Sequence, residues 1–208
     1  MEDRVCIGTH KAHQFFVSTT TLVGTANDDG SSPNFSCIAW ATPINNSPFM
    51  VCLGINKRHL TADRIVAGGK GHLFSVNFVP HERETLSKAN ACGRKSGRTE
   101  EKAEQFTVYH HQDMLTAPLV GECPSSLIVE VDQIIDNKTN LCILANVVET
   151  IVAKDIMKEG STNVELEKFN PALFSFAGPS YFGVSERSGI PWKADPYDGI
   201  DSPPPLNG

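Results

Sequence analysis

Apolar residues along this chain alternate with polar ones more often than they recur at every third or fourth position. Residues 15–26, FFVSTTTLVGTA, are β-branched and aromatic and predict a strand. NDDGSSPN is a dense turn signal, and 35–42 predicts a second strand, so 15–42 reads as a hairpin. PINNSP is another turn, and 49–55 predicts a third strand. Thr61 is placed to cap a short helix, ADRIVA, which Gly68 and Gly69 end. Residues 71–78 predict a fourth strand. HERETLSKANAC has helical spacing, and GRKSGRTEEKAEQF reads as a polar loop running into another helical turn. APLVGECPSSLIVEVDQII predicts a long strand interrupted at Glu122–Pro124. DNKTN then turns the chain, and 141–153 is the returning strand. Residues 155–170 carry weak helical character. The prolines from Pro191 onward preclude a regular element.

Strands that come in hairpins, with short helices between them, predict an antiparallel barrel or sandwich. The strand–helix alternation of a doubly wound fold is missing, and so is G-x-G-x-x-G. The nearest stretch, AGGKGH, follows a helix and precedes a strand, which is the wrong order. A chain of 208 residues suits one domain, drawn here as 1–189, with a proline-rich tail at 190–208.

Charge narrows the partners. The net charge is -6 with both signs scattered, which argues against nucleic acid. No apolar run reaches the ~20 residues of a membrane helix. The N-terminal MEDRVCIGTHKAH lacks the apolar core of a secretion signal, so a cytoplasmic location is expected. The six cysteines contain no CxxC pair and are expected to be reduced and mostly buried.

Candidate chemistry concentrates between Asn34 and Ile65. Asn56, Arg58, His59 and Thr61 surround a helix start, where free N–H groups and a partial positive charge suit a phosphate. Arg58 offers a bidentate contact. On a continuous strand Asn34, Ser36, Ile38 and Trp40 would share one face. Asn34 and Trp40 would then lie about 20 Å apart, comparable to a flavin nucleotide. Asn34 suits the donor and acceptor edges of a pyrimidine ring, and Trp40 suits its flank. A second basic loop, GRKSGRTEE, brings Lys95 and Ser96 as further anion contacts. It is not a nucleophile elbow. Each piece also has a plain reading: a solvated loop, a helix cap, a core tryptophan. The pairs His110–His111 and His10/His13 lack matching metal ligands at suitable spacing and read as surface histidines. Cys92, beside Arg94 and Lys95, reads as a bystander thiol or, less simply, as a redox thiol of lowered pKa.

Taken in order, VSTTTLVGTAND, PNFSCIAW, SPFMVCLGI with NKRHLTADRI, FSVNFVP, CGRKSGRTEEKAEQF and APLVGECPSSLIVEV resemble the flavin reductase-like FMN-binding split-barrel family, in its flavoredoxin-like branch. YFGVSERSG is similar to the family's Tyr-x-x-Leu-Gly-Glu ending, with Val184 and Ser185 in place of Leu and Gly. The resemblance spans residues 15–189. It implies a mainly β fold, a six-stranded antiparallel Greek-key split barrel with short peripheral helices, and a homodimer. It implies FMN as cofactor and NAD(P)H as a transient co-substrate. Asn34 and Trp40 would meet the ring or ribityl part, Thr61 and its preceding loop the phosphate, with Lys95 nearby. Electrons would pass from NAD(P)H through flavin to an acceptor, itself a flavin, a small molecule or a protein. Two alternatives are a flavoredoxin-like carrier without efficient NAD(P)H oxidation, and a barrel that binds without catalysis.

Overall fold

The computed structural model describes residues 5–184; the 190–208 segment and the motif's end from Ser185 lie outside the described residues. A 3-10 turn at Thr9–Phe15 leads into β1 (Val17–Thr19), β2 (Thr21–Thr25), β3 (Asn34–Ile38), β4 (Ala41–Asn46) and β5 (Phe49–Asn56). Then come α1 (Leu60–Gly68), β6 (Leu73–Phe78), α2 (Arg83–Arg94), β7 (Val108–Tyr109) and β8 (Leu119–Val120). The long pair β9 (Ser125–Asn137) and β10 (Asn140–Val152) is followed by α3 (Leu166–Phe169), β11 (Leu173–Ser175) and β12 (Ser180–Phe182).

Seven strands form the main sheet in the order β3-β2-β6-β9-β10-β5-β4. All its neighbouring pairs are antiparallel. Its two edge strands, β3 and β4, are consecutive in the chain and joined only by Ala39 and Trp40. Three Cα–Cα steps span at most roughly 11 Å, so the two edges meet at that corner. The sheet must therefore curl on itself into a barrel that is split beside Trp40. Helix α1 packs against β2, β3 and β5 and so straddles the split.

Alternation fills the barrel. Val51, Leu53 and Ile55 of β5 and Leu141, Ile143 and Ala145 of β10 point inward, with Ala62 and Ile65 of α1 closing the same core. A second core lies outside the barrel wall, where Ala89 and Cys92 of α2 cover Leu22, Phe35 and Phe106. Asn77 pins the wall from its outer face. Its amide donates to the Leu22 carbonyl at 3.0 Å, and its Oδ1 accepts from Val120 N–H and the Ser126 hydroxyl. That buried polar group is satisfied, so it fixes register without a desolvation penalty.

The expected class holds, with one more strand in the main sheet than six. The extra strand is β4. PINNSP is not all turn: Pro43 to Asn46 pair with β5, and only Ser47 and Pro48 turn the chain. Proline is tolerated there because β4 is an edge. The second predicted strand also ends early, at Ile38. Residues 155–170 contain only short turns, at Lys154–Ile156 and Leu166–Phe169.

Candidate functional site

The first turn of α1 has moved relative to expectation. His59, not Thr61, is the N-cap, and no side chain caps the helix. Thr61 therefore lies inside the first turn and faces the barrel wall, fully buried. Its Oγ accepts from the Asn34 amide at 2.9 Å and shares a hydrogen bond with the Ser36 hydroxyl at 2.8 Å. These bonds tie the helix start to β3 and leave the first-turn N–H groups without a side-chain acceptor.

Asn34 is consequently at the helix end of the site, not beside Trp40. Its Oδ1 is buried and has no partner. The loop after α2 presses on it: a Cβ at Gly97 would stand 2.0 Å from that oxygen, so only glycine fits. Behind Gly97 lies Lys102, only 6% exposed. Its ammonium donates to the Cys92 carbonyl at 3.3 Å and reaches the Lys95 carbonyl at 3.5 Å, capping the end of α2. Two carbonyls for three N–H donors leave one donor for a ligand. Burial holds the Lys102 pKa below the usual lysine value, against the opposing pull of Cys92 and Cys37. His59 is lowered too, first by burial and then by the Lys102 cation, and its Nδ1 is buried without a partner. A cation without a carboxylate, an uncapped helix start and a neutral imidazole together suit a phosphate.

The other basic groups are spoken for or lie outside. Lys57 pairs with Asp136, and Arg98 pairs with Asp63 in the first turn of α1. Lys95 is exposed and pairs with Glu100 at 3.2 Å. Ser96 is exposed, and its Oγ accepts from the Arg98 N–H at 3.3 Å. Arg58 is exposed, its N–H held by the Asn56 side-chain oxygen.

Trp40 stands at the split, off any strand and 51% exposed, so the same-face argument linking it to Asn34 does not apply. It lies over Gly54, where a Cβ would come within 3.0 Å of the indole, and meets Phe176 at 6.1 Å. On one side is a 270 Å³ cavity lined by Trp40, Ala39, Asn56, His59, Asn140 and Phe176 among others. On the other is a 730 Å³ apolar cavity whose lining includes Phe16, Val17, Trp40, Cys52 and Phe176. The structure thus brings Trp40, Asn56 and His59 into one cavity. Asn34 and Thr61 are tied together nearby, while Arg58, Lys95 and Ser96 are not among the residues lining either space. Sequence reasoning missed Lys102 and Phe176. Buried Ala103 and Phe106 follow Lys102 and were the available signal that this turn packs inward.

Cys92 is 2% exposed and pushed up to about 11 by burial, which removes the low-pKa redox reading. No cluster of metal-ligating side chains occurs among the described residues. No helix among them is long and apolar enough to cross a membrane.

The sequence profile of the family described as "Flavin reductase like domain" matches residues 13–195, and this chain belongs to that family. Among solved structures it is similar to flavoredoxin from Methanosarcina acetivorans (TM-score 0.81, 24% identity, 92% of this chain and 97% of that one). Flavoredoxin of Desulfovibrio vulgaris (Miyazaki F) follows at TM-score 0.80 and 20% identity, covering 92% and 98%. The FMN-binding protein from Thermus thermophilus, solved with bound 1-cyclohex-2-enone, gives TM-score 0.71 and 16% identity over 88% and 96%. At these identities the likeness establishes the split-barrel fold. A comparison with curated proteins returns no match.

Proposed function

We propose that this chain is an FMN-binding oxidoreductase that passes electrons from NAD(P)H through flavin to an acceptor. The observation that carries it is the position of His59, which heads α1 beside buried Lys102 and also lines the aromatic-walled cavity at the barrel split. Lys102, His59 and the first-turn amides of α1 would hold the phosphate, with Arg58 closing over it from solvent. Trp40 and Phe176 would flank the ring, with Asn34 and Thr61 fixing the helix start against β3. Bound FMN supplies the two-electron chemistry, so no general acid or base is asked of the protein. The residues would orient the ring, limit water beside it and leave one approach open for a pyridine nucleotide.

Two measurements test this reading. FMN should bind at least tenfold more tightly than riboflavin, and Arg58→Ala should narrow that ratio. Equal affinities, or equal losses for both ligands, would remove the phosphate assignment. NADH or NADPH should then bleach the visible absorption of the loaded protein.

The likeness to two flavoredoxins favours a second reading, an electron carrier reduced by another protein. Stopped-flow mixing with NADH and NADPH separates the two, because a carrier keeps its colour on the timescale at which a reductase bleaches. A homodimer is proposed on the family resemblance alone, and sedimentation equilibrium of the full chain checks it.

A further inference from the structure

A second pair of reactive groups lies on the outer face of the sheet, unused by the flavin reading. Cys52 of β5 and Cys142 of β10 have their sulfurs 3.2 Å apart. In the register of these strands Cys52 lies opposite Leu144, and Cys142 lies opposite Gly54. The two are therefore diagonal neighbours, which ordinarily sit about 7–8 Å apart. Here both thiols turn toward each other on the outer face, beside Gly54 and the indole that lies over it. Both residues are half-buried, and Cys52 lines the open 730 Å³ cavity beside Trp40. Cys123, in contrast, is 5% exposed.

We propose that Cys52 and Cys142 form a dithiol oxidation site, closed to an intramolecular disulfide by low-molecular-weight disulfides and reopened by thiols. The sulfur of one cysteine attacks a small disulfide RSSR, forming a mixed disulfide and expelling one RSH, which carries away the attacking thiol's proton. The second cysteine then attacks the first one's sulfur, forms the Sγ–Sγ bond and expels the second RSH with its own proton. Two thiols are oxidised by two electrons, and one RSSR becomes two RSH. The second step is intramolecular: the sulfurs close about 1 Å from contact to a bond of ~2.05 Å, and from diagonal positions that closure also draws β5 and β10 together locally. Burial and the neighbouring thiol push the Cys52 pKa up, so exchange through Cys52 is slow at neutral pH and quickens as pH rises. The bond would tie β5 to β10 on the wall of the Trp40 cavity. This inference does not depend on flavin binding.

The test uses the purified full chain without flavin, incubated with excess oxidised glutathione at pH 8 to 9, quenched with an alkylating agent and mapped by mass spectrometry. The expected product has lost two hydrogens, contains a linked Cys52–Cys142 peptide, carries no glutathione on either residue and reverts with dithiothreitol. In Cys52→Ser or Cys142→Ser the remaining cysteine should instead keep a stable glutathione adduct. Circular dichroism checks that each variant is folded. A wild-type chain that retains the adduct, stays fully alkylatable at both positions or links other cysteines in their place overturns the proposal.

Discussion

At the helix end of the site Thr61, Asn34 and Ser36 are buried and bonded to one another, with Lys102 and His59 alongside. At the other end Trp40 is half exposed, rests on a glycine and faces Phe176 across 6.1 Å. The first region is assembled from three distant pieces: a strand, a helix start and the loop after α2. Thr61 holds both the Asn34 amide and the Ser36 hydroxyl in low dielectric, so a loss on one side strands a group on the other, while Asn34 Oδ1 and His59 Nδ1 stand without a protein partner. The second region is aromatic surface, where no hydrogen bond is lost when a side chain is cut back. Damage to the first region should therefore reach both stability and ligand discrimination. Damage to the second should reach ligand affinity while sparing the fold.

The sharpest way to break that contrast is Gly97→Ala. The methyl would collide with Asn34 Oδ1 at 2.0 Å, and the loop must move. The expected cost is about 1–3 kcal/mol in denaturant unfolding, with FMN affinity falling by more than tenfold. Thr61→Val follows, since it leaves the Asn34 amide without its acceptor and the Ser36 hydroxyl without its partner, for about 1–3 kcal/mol. Lys102→Met separates recognition from stability. Losing the α2 cap is offset by removing a buried unpaired charge, so stability should change by less than about 1 kcal/mol. FMN affinity should drop about tenfold or more while riboflavin binding stays put. Trp40→Ala should weaken both ligands alike with little change in the melting curve. If it unfolds the protein instead, the aromatic end is structural and the contrast fails. Lys95→Ala should be the mildest, within about twofold for FMN, because that ammonium is exposed and paired with Glu100.

The pH dependence bears on the same division. His59 and His72 both have lowered pKa values in the folded chain, chiefly through burial. The folded state then binds fewer protons than the unfolded state once pH drops below the ordinary histidine value of about 6.5. Stability should be unaffected by these two groups above that value and decline as pH falls below it. His59→Gln should flatten part of that slope in chemical denaturation between pH 7 and 5.

Much of the barrel is legible in the sequence because its strands report themselves locally. DNKTN turns β9 into β10, and Val51, Leu53 and Ile55 alternate as a half-buried strand should. The errors lie where tertiary position decides. Pro43 suggests a turn, yet an edge strand lacks a partner for one of its faces and accepts it. A shift of two residues at the start of α1 converts Thr61 from a cap to a buried anchor, a displacement that local signals at helix ends do not resolve. Lys102 reads as one more charge in a polar loop. Its burial follows from where α2 ends in space, which no local pattern encodes.

Gly54 gives the cavity wall an unusual property. Because β5 carries no side chain there, the indole of Trp40 lies over Gly54 and, with Phe176, lines both the 270 Å³ and the 730 Å³ space. A backbone wall is fixed by its ladder, whereas a half-exposed side chain can change rotamer within nanoseconds. The two spaces are thus parted by packed aromatic side chains, Trp40 with Phe176 beside it, and their separation rests on side-chain packing and not on the hydrogen bonds of the sheet.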